Sequence, residues 1–147
     1  MCKACYWILS ITVAVTACFA SQISEIVKID VDSSGRVHVA DSLGKEVVVP
    51  LDKDQVNCSS VKIADDRHTV GWLAEYPSCC TSYPLPLTLV IYRGGKIIRR
   101  IALSQSIWDW RFVDGGTQVA LWIGPTHGDF IPLFELHDVR SRKLISS

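Results

Sequence analysis

The segment 106–124, SIWDWRFVDGGTQVALWIG, has the sequence pattern of a β-hairpin and decides the fold of this chain. Gly115 and Gly116 supply a tight turn, and apolar residues alternate with polar ones on either side of it. If Asp114 faces Thr117, alternation divides the side chains between a dry face and a mixed face, as in a sheet packed on one side. The dry face holds Trp108, Trp110, Phe112, Val119, Leu121 and Ile123. The mixed face holds Asp109, Arg111, Ala120 and Trp122.

The segment 61–74 repeats this hairpin about 49 residues earlier in the chain. The aligned pairs are Lys62 with Arg111, Ile63 with Phe112, Asp65 with Asp114 and Val70 with Val119. A later strand of each unit also recurs, because the segment 95–98 matches the segment 142–145, with an earlier echo at 44–47. The chain is therefore predicted to contain units of four antiparallel strands, each about 45 to 50 residues long.

Four-stranded units of this length are typical of β-propeller blades. The segment 31–42, VDSSGRVHVADS, resembles an NHL-type propeller repeat. The segment 136–144, LHDVRSRKL, is similar to the last strands of WD40 or TolB-like blades, and the hairpins 61–74 and 110–123 share that likeness. The resemblance implies an all-β fold of antiparallel four-stranded meanders. The families it points to are mostly interaction scaffolds, although some members are enzymes.

The number of units leaves two arrangements open. Residues 21–147 supply two full units and part of a third, whereas a closed propeller needs at least four blades. One arrangement is an incomplete propeller, which a homo-oligomer would close into a ring. The other is a compact β-sandwich of the same hairpins, in which the apolar faces of two sheets cover each other.

The N-terminal segment 1–20 has the pattern of a secretory signal peptide. Its apolar run, 6–17, is shorter than the roughly 20 residues that a membrane-spanning helix needs. Cleavage before Ser21 would leave a single all-β domain, 21–147, that is secreted or periplasmic. Two alternatives stay open. In the first, the segment 15–18, VTAC, resembles a lipobox, so that 1–17 would be the leader and a lipid-modified Cys18 would anchor the protein to the outer envelope. In the second, the N-terminal segment stays uncleaved as a membrane anchor.

Export would place Cys58, Cys79 and Cys80 in a compartment where disulfides persist. The hairpin register predicts that Cys58 faces Glu75, only a few residues before the other two cysteines. We expect a bridge from Cys58 to Cys79 or to Cys80, worth about 3 kcal/mol in the chain-entropy model. A bridge between the adjacent Cys79 and Cys80 is a strained alternative. The odd thiol stays free or pairs between chains.

The charge of the chain argues against a nucleic-acid partner. Fifteen basic and fifteen acidic residues cancel, so the basic footprint of a nucleic-acid binder is missing. No cofactor motif is present in the sequence, and we predict no cofactor.

The segment 30–41 matches the start of an EF-hand calcium loop through Asp30, Asp32, Ser34 and Asp41. An EF-hand needs a helix on either side, whereas β-branched residues alternate along 37–49. We therefore interpret these residues as part of a strand turn, and we predict no metal site.

His127, Asp129 and His137 are the candidate catalytic residues, since His and Asp supply acid–base groups. Neither a G-x-S-x-G elbow nor an H-E-x-x-H zinc motif accompanies them, and the third element of a triad is missing. We interpret them as hydrogen-bonding residues. A hydrolase-like or metal-dependent enzyme is the alternative function that they would serve.

Trp122 and Asp109 are the candidate binding residues, because they lie side by side on the mixed face. Trp72, Trp108 and Trp110 are instead predicted to pack on the inner face, since aromatic side chains dominate sheet packing. An outward Trp beside a charge favours a recognition contact or a subunit interface.

The sequence thus predicts a non-enzymatic binding or scaffold module with a protein or small-molecule partner, and it allows a homo-oligomer. A structural envelope lipoprotein is a further alternative. In either case a membrane would be reached only through a lipid or an N-terminal anchor.

Overall fold

The computed structural model describes residues 24–126, 131–141 and 143–147. The predicted leader 1–20, with Cys18, lies outside the described residues, and so do His127 and Asp129. Within the described ranges the chain is all-β and contains no α-helix, which confirms the predicted fold class.

Eleven strands in the described residues form three antiparallel sheets, and each strand pairs with the next strand of its own sheet. Sheet A contains β1 (Ile26–Val31), β2 (Val37–Asp41) and β3 (Glu46–Val49). Sheet B contains β4 (Asn57–Ile63), β5 (Thr69–Tyr76), β6 (Leu85–Arg93) and β7 (Lys96–Ala102). Sheet C contains β8 (Ser106–Val113), β9 (Gln118–Gly124), β10 (Leu133–Asp138) and β11 (Leu144–Ser146). A 3-10 turn, Asp114–Gly116, joins β8 to β9.

Sheets B and C share the register that the sequence alignment predicts. The matching cross-strand pairs are Lys62–Gly71 with Arg111–Ala120, and Ile63–Val70 with Phe112–Val119. Strands β5 and β9 are therefore equivalent, each being the second strand of a four-stranded meander. Each residue of β9 can therefore be compared with the residue of β5 that has the same position in the strand order and register.

Sheet B is the middle layer of the molecule, and both of its faces are buried. One face packs against sheet A in a cluster that includes Trp72, Val90 and Val37. The other face packs against sheet C in a cluster that includes Leu73 and Leu89. Strand β5 is mostly apolar for this reason, because neither of its faces meets water. The stack of three sheets is compatible with blade-like and with sandwich-like packing of the hairpins.

A β-bulge in β8 corrects the predicted position of Trp108. Next to the turn the register follows simple alternation, but Ile107 and not Trp108 faces Ile123. The strand carries one extra residue between Ile107 and Asp109, and an extra residue turns the side chain that it adds out of the alternating pattern. Trp108 is therefore 42% exposed, whereas Trp110 is buried as predicted.

A second irregularity, in β4, corrects the predicted partner of Cys58. Cys58 pairs with Ala74, and Asn57 takes the place opposite Glu75. The register shifts between Ser59 and Lys62, where the backbone of Ser60 has a φ of 50°. Cys58 consequently lies in the core between sheets A and B.

Candidate functional site

The outer face of sheet C, which is the face turned away from sheet B, carries exposed aromatic side chains. Trp122 is 37% exposed and Phe134 is 61% exposed. They are a cross-strand pair of β9 and β10, and their rings stack with centroids 6.1 Å apart and planes 7° apart. Trp108 meets Trp122 edge-on, with 5.5 Å between ring centroids. We call Trp108, Trp122 and Phe134 the aromatic strip.

Alternation explains why Trp122 and Asp109 lie together on this face. Trp110 and Leu121, which are cross-strand neighbours, fill the core toward sheet B. The residues next to them in each strand must then point outward. Asp109 is the direct cross-strand partner of Trp122. The structure thus brings the two predicted binding residues into contact distance on one surface.

A shallow depression of about 260 Å³ lies on the outer face of sheet C. The depression forms because the side chain of Ala120 is only a methyl group, whereas the neighbouring rings of Trp122 and Phe134 project further from the sheet. A second depression of about 400 Å³ lies at the seam between sheets B and C, where Trp108 and Tyr83 line it. Trp108 touches Trp122 and lines the seam, so the aromatic strip joins the two depressions.

Unlike charges flank the aromatic strip. The Lys62 ammonium group lies 2.9 Å from the Asp109 carboxylate and also donates to the backbone carbonyl of Trp110. The hydrogen bond from Lys62 holds the pKa of Asp109 below its usual range, so Asp109 is an anion at neutral pH. Arg111 is an exposed cation two residues further along the same strand. The face therefore offers apolar rings together with the Asp109 carboxylate, which Lys62 pairs, and the exposed guanidinium group of Arg111.

In the repeat, the outer face of sheet C corresponds to the face of sheet B that sheet C covers. The stacked pair Trp122–Phe134 occupies the position of the cross-strand pair Leu73–Leu89. Leu73 and Leu89 are buried at 3% and 0% exposure, because sheet C covers them. The aromatic strip therefore lies on the face that is covered in the preceding unit.

Sequence reasoning did not identify Phe134, and it placed Trp108 on the wrong face. The signal that leads to Phe134 is the repeat, since Phe134 takes the position of the buried Leu89. Finding it requires the register of β10 against β9, which alternation in β10 alone does not supply.

His137, a predicted catalytic candidate, lies on the opposite face of sheet C and is buried against sheet B. Arg99 donates to its Nδ1 atom at 3.3 Å, and its Nε2 atom lies 2.7 Å from the Glu135 carboxylate. Because arginine only donates, Nδ1 accepts and Nε2 carries the proton. The Nδ1 contact with Arg99 of β7 connects sheet C to sheet B, whereas the Nε2 contact with Glu135 lies within β10.

The four EF-hand-like residues are divided between β1, the turn that follows it and the end of β2, and they do not converge. Asp32 accepts hydrogen bonds from the backbone of Ser34 and Arg36, and these bonds, first that of Arg36, lower its pKa. Asp41 accepts bonds from the backbone of Leu43 and Lys45 in the next turn. Asp30 and Ser34 lie with β1 and the first turn, where Asp30 pairs with Lys28. In the described part of the chain, no three His, Cys, Asp or Glu side chains converge as metal ligands would.

The cysteines of the described residues are free thiols. Cys58 is buried, and the amide of Gln55 donates to its sulfur at 2.9 Å. Burial raises the pKa of Cys58 to about 11. Cys79 and Cys80 are exposed, with their sulfurs 2.7 Å apart. Neither the Cys58–Cys79 bridge nor the Cys58–Cys80 bridge is formed, since Cys58 points into the core.

A polar cavity of about 350 Å³ lies at the seam between sheets A and B, beside Asp41 and Lys45. Its polar groups bond to one another: Ser24 donates to the Asp41 carboxylate at 2.6 Å, and the Ser24 carbonyl contacts His68 at 3.2 Å. These bonds hold Ser24, which precedes β1, to Asp41 of β2 and to His68 just before β5, which is a structural role.

Comparison of the chain with known proteins assigns no family. No family model matches it, and no curated protein matches it significantly.

In residues 24–126, 131–141 and 143–147, no helix has the length and apolar character required to traverse a bilayer.

Proposed function

We propose that this chain is a non-enzymatic binding module that recognises a protein partner through the outer face of sheet C. The observation that carries the proposal is the exposed stacked pair Trp122 and Phe134, on the face whose equivalent in sheet B is covered by another sheet. Exposed rings of this size lose contact with water only when a partner covers them.

The chemistry of the face fits protein recognition. Trp and Arg are the side chains most enriched at interface hot spots, and this face carries Trp122 and Arg111 side by side with Asp109. The rings supply apolar area, and the two unlike charges supply orientation. The ordered stacking of Trp122 on Phe134 also lowers the entropy that binding must remove.

We further propose that the three sheets are propeller-like blades and that the module acts outside the cytoplasm. Each sheet is a meander of consecutive strands, and sheets stack in chain order, which supports the likeness to NHL and WD40 repeats. The signal-like pattern of residues 1–20 supports export. A catalytic role for His137 lacks comparable support, because both of its ring nitrogens are hydrogen-bonded within the protein.

Site-specific photocrosslinking tests the proposed surface. Benzoylphenylalanine would replace Trp122 in one variant and Val48 in a matched control, and both variants would be irradiated in the cells that naturally make the protein. Val48 is also an exposed apolar strand residue, at 44%, but it lies on sheet A. We expect a discrete covalent adduct from position 122 and none from position 48. Equal labelling at both positions, or none at either, would refute the proposal.

A further inference from the structure

The outer faces of sheets A and C differ in chemistry. The outer face of sheet A is mostly polar, since His38 lies there between the carboxylates of Asp32 and Glu46, at 3.1 and 2.7 Å, with Val48 as its apolar cross-strand partner. The outer face of sheet C is aromatic. A polar, ion-paired face does not complement an aromatic one, so head-to-tail stacking of copies, sheet C on sheet A, is unfavourable.

The outer face of sheet C is complementary to itself in shape. Trp122 and Ala120 are two residues apart on β9, so a large side chain stands beside a small one on the same face. The depression of about 260 Å³ lies over the small side chain, and an indole ring is the group that projects next to it. A second copy turned end for end would place its large side chain over this small one.

The face is also complementary to itself in charge, with the same spacing. Asp109 lies at the level of Trp122, and Arg111 lies at the level of Ala120, because these are the cross-strand pairs. On β10, Phe134 shares the first level. Turning a second copy end for end therefore exchanges the levels of acid and base as well as those of large and small side chains.

Resting on the proposed function, we propose that the partner bound by the outer face of sheet C is a second copy of this chain. The two copies pack sheet C against sheet C around a two-fold axis that lies between the sheets, perpendicular to the strands, at the level of Leu121. This rotation reverses strand direction and keeps β9 over β9. Trp122 then fills the space over the partner's Ala120, and Asp109 faces the partner's Arg111. Each contact occurs twice, as an isologous interface requires.

The dimer is expected to be weak and dependent on concentration. Four strands about 4.8 Å apart, with about five residues each rising 3.3 Å, give a face of about 19 by 17 Å. This is about 320 Å² on each copy, less than a standard specific interface buries, so the contact belongs with weak, transient interfaces. The contacts that matter lie within about one residue of the axis, so the mutual rotation of two twisted sheets leaves them in register.

The test is a mixing experiment with charge variants, Asp109→Lys and Arg111→Asp, followed by sedimentation velocity from about 5 to about 500 µM. Wild-type protein is expected to shift from monomer to dimer across this range. Each variant alone places like charges opposite each other twice, and its dissociation constant should rise about tenfold or more. In a 1:1 mixture the introduced lysine of one variant faces the introduced aspartate of the other, and the remaining contact is the native pair of Arg111 with Asp109. The mixture should therefore recover the dimer.

A size-swapped pair repeats the test without changing charge. Ala120→Trp places two indole rings in one space in its own homodimer, and Trp122→Ala leaves that space empty. Mixed together, the two variants fill both spaces once, so the mixture should dimerise where neither variant does. Circular dichroism of each variant checks that it is folded before mixing. Recovery of the dimer by either mixture, charge-swapped or size-swapped, is sufficient to support the proposed arrangement.

The outcomes separate the dimer from the proposed function. Wild-type protein that stays monomeric at every concentration overturns the dimer, and so does a dimer that neither mixture recovers. If wild-type protein is monomeric but position 122 crosslinks to a different protein in cells, the binding function stands with another partner. If position 122 gives no adduct and the protein is monomeric, both ideas fail.

Discussion

Sheets B and C are two copies of one unit. They differ on one face, which in sheet B is the face that packs against the next sheet along the chain. In sheet B this face carries Leu73 with its cross-strand partners Ser59 and Leu89, and sheet C covers it. In sheet C the equivalent positions carry Trp122 with Asp109 and Phe134, and the rings stay exposed. A small hydroxyl and two aliphatic side chains suit permanent burial. A charge and two aromatic rings suit a surface that is exposed in one state and covered in another.

The largest expected effect comes from truncating the two equivalent residues of β5 and β9. Leu73→Ala should lower the free energy of unfolding by about 3 kcal/mol, because Leu73 is buried between two sheets and leaves a cavity. Trp122→Ala should cost about 1 kcal/mol or less, although it removes more atoms. Urea denaturation of dilute protein measures both. Equal losses of unfolding free energy would mean that the two faces contribute equally to the stability of the fold, contrary to the comparison.

The next effect in size concerns Gly71 and its equivalent Ala120. A Cβ atom on Gly71 would lie 2.7 Å from the Trp110 ring, whose position is held by a hydrogen bond from its Nε1 atom to the Ser60 carbonyl. Gly71→Ala should therefore cost about 2 kcal/mol of unfolding free energy. Ala120→Val adds more atoms at the equivalent position but faces outward, and it should stay within about 0.5 kcal/mol of wild type. Thermal melts rank the pair, and a harmless Gly71→Ala would contradict the close packing of sheets B and C.

A smaller effect extends the comparison to sheet A, whose outer face is ionic. The carboxylates of Glu46 and then Asp32 raise the pKa of His38 above its usual 6.5. A raised pKa in the folded state means that the ion pairs stabilise the fold fully below the unfolded pKa and cease to do so as pH rises through the folded pKa. Wild-type protein should therefore lose stability relative to His38→Gln as pH increases from about 5.5 to about 8. Melting temperatures of the two proteins across this window check the sign, and a constant difference would disprove the pairing.

The smallest expected effect is that of the exposed ion pair on sheet C. Asp109→Asn keeps the shape of the side chain but removes its charge opposite Lys62, and it should cost about 0.5 kcal/mol at low salt. Added salt screens exposed pairs, so about 1 M NaCl should remove most of the difference between variant and wild type. Unfolding curves at both salt concentrations provide the measurement. A difference that persists in high salt would show that Asp109 acts through something other than its charge.

Much of this fold follows from the sequence, because strand alternation and turn residues act locally. The Gly115-Gly116 turn is sufficient to place Phe112 opposite Val119, and the repeat is sufficient to place Lys62 and Arg111 in equivalent positions. Prediction fails where β8 and β4 each bulge. A bulge adds an unpaired residue and thereby changes which side chains face inward beyond it, and no residue type near Trp108 or Ser60 indicates its position. The predicted bridge from Cys58 depended on the register beyond such a bulge.

The candidate site could be predicted only in part. Alternation separates Trp122 on the mixed face from Trp110 on the dry face, but it does not say whether another sheet will cover the mixed face as well. That choice depends on the order in which the sheets stack, and stacking is a long-range property. Phe134 enters the site only through the pairing of β10 with β9. Local pattern therefore identifies the strand residues, and tertiary packing decides which of them remain available to a partner.

The unequal burial of the tryptophans gives this protein an internal optical reporter. In the described residues, Trp72 and Trp110 are each 2% exposed, whereas Trp108 and Trp122 are 42% and 37% exposed. Iodide, which does not enter protein cores, should quench the second pair and spare the first. Covering the outer face of sheet C would shift the emission of the quenched fraction toward shorter wavelength and protect it from iodide. The same rings that are inferred to make the contact would therefore report its formation without any added label.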